Sequence, residues 1–275
     1  MQTIETWNID HFERGAIFHP LRLAARDLPT VGWPNVELVN ALAQNSPTRV
    51  VNARGERIEF IVQDGAVSGE QYEAGTYLRG HVTLRAHNWH DLFNALVWVT
   101  FPLAKAALNA RHFAELKAHG NARTPARDAL THFDEDGVAV MTDDSELLEL
   151  IRKHEWQTLF VARRDQICRS MRVYIFGHAL YDKARAPFIG LTGKALLFKV
   201  SKLESSVNET GDLCRVDRLL AAHVLNPAKF LAPRELSPIP ILGVPGWWPA
   251  NEEAAFYEDA NYFRPARSVV TEPER

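Results

Sequence analysis

The sequence predicts an α+β fold that is predominantly α-helical, with two long core helices, small β-hairpins and an irregular C-terminal wrap. Three observations carry this expectation. The run from Leu92 to Ala110 is apolar at helical spacing and holds a proline near its middle. Two pairs of short β-type runs flank the glycine-containing turns Arg54-Gly55-Glu56 and Asp134-Glu135-Asp136-Gly137. From Pro227 to Arg267, prolines and aromatics continue with neither helical nor strand period, so that segment is expected to wrap the body and anchor through its rings.

The elements follow in order. Pro34 and Asn35 precede Val36 to Leu42, an amphipathic helix with proline near its start. Arg49 to Ala53 and Arg57 to Val62 read as the first hairpin, ended by Asp64-Gly65. The long helix begins at Trp89, with Asn88 as N-cap and Asp91 three residues into the first turn, where free backbone N–H groups favour an acceptor and a negative charge. Pro102 kinks or divides it, because proline lacks the N–H and clashes with the preceding turn. Its continuation runs to about Lys117 and stops near Gly120.

Asn121 to Arg127 reads as a polar connector, and Leu130 to Phe133 with Val138 to Met141 as the second hairpin. Asp144 or Ser145 caps a helix through Leu147, Leu148 and Ile151. A second long helix is expected from Trp156 to about Arg185, passing through His178 and packing on the first. Ala195 to Val200 is apolar but too short to assign, and Val216 to Leu225 is helical. Residues 1–267 form one domain on this reading, and Ser268 to Arg275 form a loose tail.

Composition narrows the function classes. The chain has 275 residues, 46% hydrophobic and 24% charged, with a net charge of -3. That balance suits a globular domain with a substantial core and argues against nucleic-acid binding, which needs a basic footprint. Leu92 to Ala110 has the length of a membrane span, but Asn94, Pro102, Lys105 and Asn109 interrupt it. A central lysine costs roughly 2.5–3.5 kcal/mol on insertion, so a buried helix is expected and no membrane partner. Two cysteines, Cys168 and Cys214, and a start without a secretory pattern fit a reduced, cytoplasmic protein.

Familiar motifs fail. Gly193-Lys194 lacks the earlier glycine of a phosphate loop, where Phe188 stands, and the hydroxyl after the lysine, where Ala195 stands. His154-Glu155 opens like a zinc-protease helix without the second histidine. No glycine-rich dinucleotide turn or serine elbow is present.

Four clusters hold more polar chemistry than their apolar surroundings require. The first is His87-Asn88-Trp89-His90-Asp91-Leu92-Phe93-Asn94, where Asn88 and Asp91 serve a cap and His90 and Asn94 share one helix face. The second is Arg127 to Gly137, whose Asp134 and Glu135 are either a structural acidic turn or bases and metal ligands. The third is Phe176-Gly177-His178, where a glycine in a helical pattern implies close approach of another backbone beside the histidine. The fourth is Gly243-Val244-Pro245-Gly246-Trp247-Trp248 with Arg264 and Arg267, either a packing clamp or an aromatic lid with anion-binding arginines.

The strings HDLFNALVWVTFP, RDALTHFDEDG, FGHALYD, GVPGWW and FRPAR together resemble the uncharacterised bacterial domain-of-unknown-function family 3025. The resemblance spans roughly Tyr72 to Arg267 and implies one intact domain; the family brings no established activity, cofactor or catalytic residue.

The expectation is therefore a small-molecule enzyme, hydrolytic in type. His90, Asp91, Asn94, Asp134, Glu135 and His178 are its candidate catalytic residues, and Arg127, Trp247, Trp248 and Arg264 its candidate substrate contacts. His90, His178 and Asp134 are candidate ligands for a divalent metal. The alternative is a non-catalytic module, binding a small ligand or a protein, with the same polar groups locked in structural networks. Convergence of these side chains on one pocket separates the two.

Overall fold

A computed structural model describes residues 5–13, 15–203 and 209–266. After two 3-10 turns, Ile9–Phe12 and Ala16–Leu21, comes the short α1 (Arg22–Ala25), then α2 (Val36–Gln44), capped by the Asn35 side chain. Strand β1 (Glu59–Val62), helix α3 (Gly69–Arg79) and strand β2 (His81–Leu84) form one strand-helix-strand unit in which β1 and β2 pair in parallel. The expected first hairpin is reduced to one antiparallel bridge, Val51 with Arg57. Strand β1 takes β2 as its partner because α3, capped at both ends by Ser68 and Gly80, returns the chain beside it.

Helix α4 (Trp89–Thr100) starts at the expected residue, and α5 (Pro102–His119) follows at an angle of 112°. Proline at the first position of α5 needs no N–H there, so the chain turns instead of breaking. The freed N–H groups of Leu103 and Ala104 are taken by the Asp217 carboxylate at 3.1 and 2.7 Å. No single helix among the described residues is long and apolar enough to cross a membrane.

Helix α6 (Pro125–Asp136) begins with Thr124 as N-cap, and β3 (Gly137–Thr142) follows it directly. This corrects the second expected hairpin. Leu130 to Asp136 is helical, and the Asp-Gly pair that suggests a turn is instead the junction between helix and strand. Helix α7 (Ser145–Arg152) is capped by Asp144, as expected. The expected helix from Trp156 to Arg185 is in fact four pieces: a π-helical turn (Thr158–Ala162), α8 (Arg164–Ser170), β4 (Met171–Ile175) and α9 (His178–Ala184). Met171 to Ile175 is extended because β3 offers it a complete antiparallel ladder, and tertiary pairing overrides a helix-compatible pattern.

Strand β5 (Thr192–Lys199) and helix α10 (Glu209–Leu225) precede the short β6 (Ser237–Pro240). The sheet order is β4-β3-β5-β6, with β3 and β5 parallel and the outer pairs antiparallel. Every residue of β3 is buried. A contiguous apolar core runs from Phe12 through the α4 residues Trp89, Phe93 and Leu96 to Phe263. The C-terminal segment is irregular and aromatic, as expected, with Tyr257, Tyr262 and Phe263 buried. Arg267 and the tail from Ser268 lie outside the described residues.

Candidate active site

Helix α4 packs on α9, and this contact sets the site. One face of α4 places Trp89, Phe93 and Leu96 in the core. A different face presents His90 and Asn94, one turn apart, to a cavity of about 440 Å³.

His178 reaches the same cavity through a close backbone crossing at Gly177. A Cβ on Gly177 would lie 2.4 Å from both the Glu135 carbonyl oxygen and the Gly137 nitrogen. The Phe176 and Gly177 N–H groups both donate to the Gly137 carbonyl at 2.9 Å. The close backbone approach expected at Gly177 is thus onto the α6–β3 junction, which sets His178 beside the last turn of α6. That turn carries Asp134, Glu135 and Asp136.

Three of the expected residues converge. The Nε2 atoms of His90 and His178 are 3.1 Å apart, and Glu135 Oε1 is 3.7 Å from His178 Nε2. Asp134 sits behind His178 instead, its Oδ2 3.8 Å from Nδ1, while its Oδ1 accepts from Lys105 Nζ at 2.5 Å. Asp136 points elsewhere and pairs with Lys183 at 2.6 Å. Helical rotation sends the three adjacent carboxylates three ways: Asp134 to Lys105 and the Nδ1 side of His178, Glu135 to its Nε2 side, and Asp136 to Lys183.

Burial and these partners separate the proton affinities. Burial, aided by Lys105 and His90, pushes His178 down to about 3, against the pull of Asp134. His90 is lowered, chiefly by burial. Burial and the neighbouring Asp134 charge raise Glu135 to about 7. Burial also opposes ionisation of Asp134, but Lys105 and His178 overcome it and hold that carboxyl at about 2. Two neutral imidazoles therefore face a carboxyl poised near neutrality, beside a carboxylate that stays charged. Such divergence between neighbouring carboxyls is how sites divide acid and base roles.

The remaining expected residues fall in different places. Asp91 lines the cavity, but its carboxylate accepts from the Arg85 backbone N–H, Nε and Nη2 at 2.7, 2.9 and 2.7 Å, and its own N–H donates to Asn88. It serves the cap. Asn94 Nδ2 donates to the Tyr72 hydroxyl at 2.9 Å. Arg127 is at the cavity wall, with Nη1 donating to the Gly120 and Ala122 carbonyls. His87 lies against Trp33, ring centroids 5.8 Å apart, away from the cavity lining.

Trp247, Trp248 and Arg264 do not line this cavity. The two tryptophans pack half-buried on the core, and Arg264 Nε donates to the Asn261 carbonyl. They form the packing clamp, not the lid.

Sequence reasoning missed Tyr72, Glu73, His112 and Lys105 as part of the site. Lys105 carried a signal, since a lysine inside an apolar helical run needs a buried partner. Tyr72 is raised far above the ordinary phenol range, mainly by burial and then by Glu73 and Asp134, so it stays protonated. Asn94 supplies the hydrogen between them, which leaves the Tyr72 proton for another acceptor. Glu73 is raised by burial and accepts from Asn109 Nδ2 at 2.7 Å. Asn94 Oδ1, Trp98 Nε1, Asn109 Oδ1 and His178 Nδ1 are buried without a hydrogen-bond partner, and all four edge this cavity or the small cleft behind it. Each such atom costs about 1–3 kcal/mol when left unpaired, and their concentration marks a place built for something other than packing.

This geometry defines a class before a family: a helical α+β domain with a two-histidine, two-carboxylate cavity at the end of a buried strand. The family model for proteins of unknown function designated DUF3025 matches residues 58–267, and the chain belongs to that family. No curated protein and no solved structure matches it.

Proposed function

We infer that this protein is a small-molecule enzyme of hydrolytic type. The observation that carries the reading is the meeting of His90 Nε2, His178 Nε2 and Glu135 within hydrogen-bond and ion-pair range in a polar cavity. Glu135 takes a proton from the attacking water and returns it to the leaving group, since a group poised near neutral pH serves both directions. The neutral His90 and His178 orient that water. Tyr72, held by Asn94, donates its proton as a hydrogen bond to the oxyanion that develops. Arg127 at the wall favours an anionic group on the substrate.

The alternative is a binding module with structurally locked polar groups. It accounts for Asn88, Asp91 and Arg85, whose hydrogen bonds close on one another. It leaves Asn94 Oδ1 and His178 Nδ1 unexplained, so the enzyme reading is preferred. The net charge of -3 supports a small-molecule ligand over nucleic acid. The free thiols of Cys168 and Cys214 suit a reducing, cytoplasmic setting.

The test is a panel of chromogenic esters, amides and phosphoesters assayed with wild type, Glu135→Gln and His178→Ala. Loss of a general base lowers the rate by about 10²–10⁴-fold. Turnover that survives both substitutions, or no turnover across the three substrate classes, overturns the reading.

A further inference from the structure

We propose that His90 Nε2, His178 Nε2 and the Glu135 carboxylate form a binding site for one divalent first-row transition-metal ion of zinc type, with at least one position open to water. The proposal rests on the hydrolytic reading and the same cavity and revises one role in it: with an ion bound, Glu135 would be a ligand held ionised, and activation of the water would fall to the ion instead of to the Glu135 carboxylate. Three observations support it.

The first is the spacing. One ligand atom from each of the three residues lies within 4.8 Å of the others. Ligand atoms bound tetrahedrally at ~2.0–2.1 Å stand about 3.3–3.4 Å apart. The measured 3.1 Å between the imidazole nitrogens and 3.7 Å from His178 to Glu135 bracket that value.

The second is the group behind His178. A metal-bound imidazole usually gives its other ring N–H to a carboxylate, which fixes the tautomer and makes the ligand more basic. His178 is 4% exposed, and its Nδ1 is buried without a hydrogen-bond partner. Asp134 Oδ2 faces it at 3.8 Å, and Lys105 keeps that carboxylate in place. Asp134 is thus a positioning residue for His178, and Glu135 takes the ligand place that the sequence assigned to Asp134.

The third is the donor chemistry. Two imidazoles with one carboxylate select zinc, manganese or iron, whereas magnesium and calcium prefer all-oxygen shells. Three protein ligands with an open position is the arrangement of catalytic rather than structural zinc, where the bound water ionises near neutrality. Tyr72 and Asn94 lie on the same cavity, within the space a bound substrate would share.

The metal itself is the probe. Purified protein is stripped with a chelator, then titrated calorimetrically with zinc and spectroscopically with cobalt(II), with bound metal counted by elemental analysis. Wild type binds one equivalent of zinc, and cobalt gives the visible bands of a low-symmetry site. His90→Ala and Glu135→Gln each weaken binding at least about 100-fold, and Asp134→Asn weakens it about 10–100-fold. Circular dichroism reports the fold of each variant. Should Asp134→Asn fail to fold, the half-exposed His90 and Glu135 still decide the matter. Wild type that binds less than a stoichiometric equivalent, or folded His90→Ala and Glu135→Gln variants that bind as tightly as wild type, overturn the proposal. Stoichiometric metal with an inactive substrate panel upholds the site and defeats the hydrolytic reading. Turnover that depends on His178 without bound metal does the reverse.

Discussion

Lys105→Met removes one charge from the centre of the protein while keeping the side chain's length and most of its contact with the Trp98 ring. The lysine is 3% exposed and contacts Asp134 at 2.5 Å. Asp134 is held at about 2 against an ordinary 3.8, which corresponds to a preference for the charged carboxylate of about 2–3 kcal/mol. A carboxyl lowered in the folded state stabilises the protein above the unfolded value and loses that contribution as pH falls through about 2. Without the lysine, burial is opposed only by the weaker pull of His178 and His112, and the balance moves toward the protonated form. An unpaired buried charge then costs about 3–5 kcal/mol at pH 7.5. The cost shrinks by roughly half or more at pH 4.5, where the stranded carboxyl can take a proton. Urea denaturation at both pH values measures it. Lys105→Met/Asp134→Leu, which removes both charges, recovers most of the loss at pH 7.5, because an apolar pair can replace a buried ion pair. A single variant that loses less than about 1 kcal/mol, or the same amount at both pH values, refutes this account of the ion pair.

Gly177→Ala forces a Cβ to within 2.4 Å of the Glu135 carbonyl and the Gly137 nitrogen; it is expected to destabilise by about 1–3 kcal/mol. Zinc affinity falls with it, since Glu135 and His178 separate together, and a variant as stable and as tight-binding as wild type contradicts the crossing's role. Asp217, 2% exposed, is raised to about 6 by burial, against the Ala104 and Leu103 N–H groups that it accepts. A carboxyl raised in the folded state favours folding fully below its unfolded value of 3.8. That advantage, about 3 kcal/mol, is lost as pH rises through about 6. Asp217→Asn lacks this slope. It is expected to be about 1 kcal/mol less stable than wild type at pH 4 and to equal or exceed it at pH 7.5, so parallel stability profiles would count against the assignment.

What the sequence revealed was local. Asn88 and Asp144 announce helix starts because a cap is decided within three residues, and Pro102 divides an apolar run through its own ring. His90, His178 and Glu135 stand out as polar groups in apolar surroundings. Their meeting was not legible, since His90 and His178 are 88 positions apart and the crossing that joins them depends on Gly177 lying against the backbone of the α6–β3 junction. The two errors near the site share a cause. Asp134 to Gly137 has the composition of a turn, and Met171 to Ile175 the spacing of a helix, but the pairing of β3 with both β4 and β5 determines each. Lys105 both denies a membrane span and requires a buried carboxylate, and the sequence does not say that Asp134 is the one.

Helix α6 ends at Asp136 and β3 begins at Gly137, with no residue between them. The carboxylates therefore inherit their directions from the sheet, and no loop can absorb a change in chain length. Inserting one residue between Asp136 and Gly137 would rotate the helix end by about 100° against the sheet, handing the place of each acid to its neighbour. The order Asp-Glu-Asp is then an address. The longer side chain stands in the slot that must span to the imidazoles, and the shorter ones in slots where a lysine does the reaching. Transposing Asp134 and Glu135 would keep the composition, the charge and the helix, and still withdraw the carboxylate from the Nε2 side of the histidines.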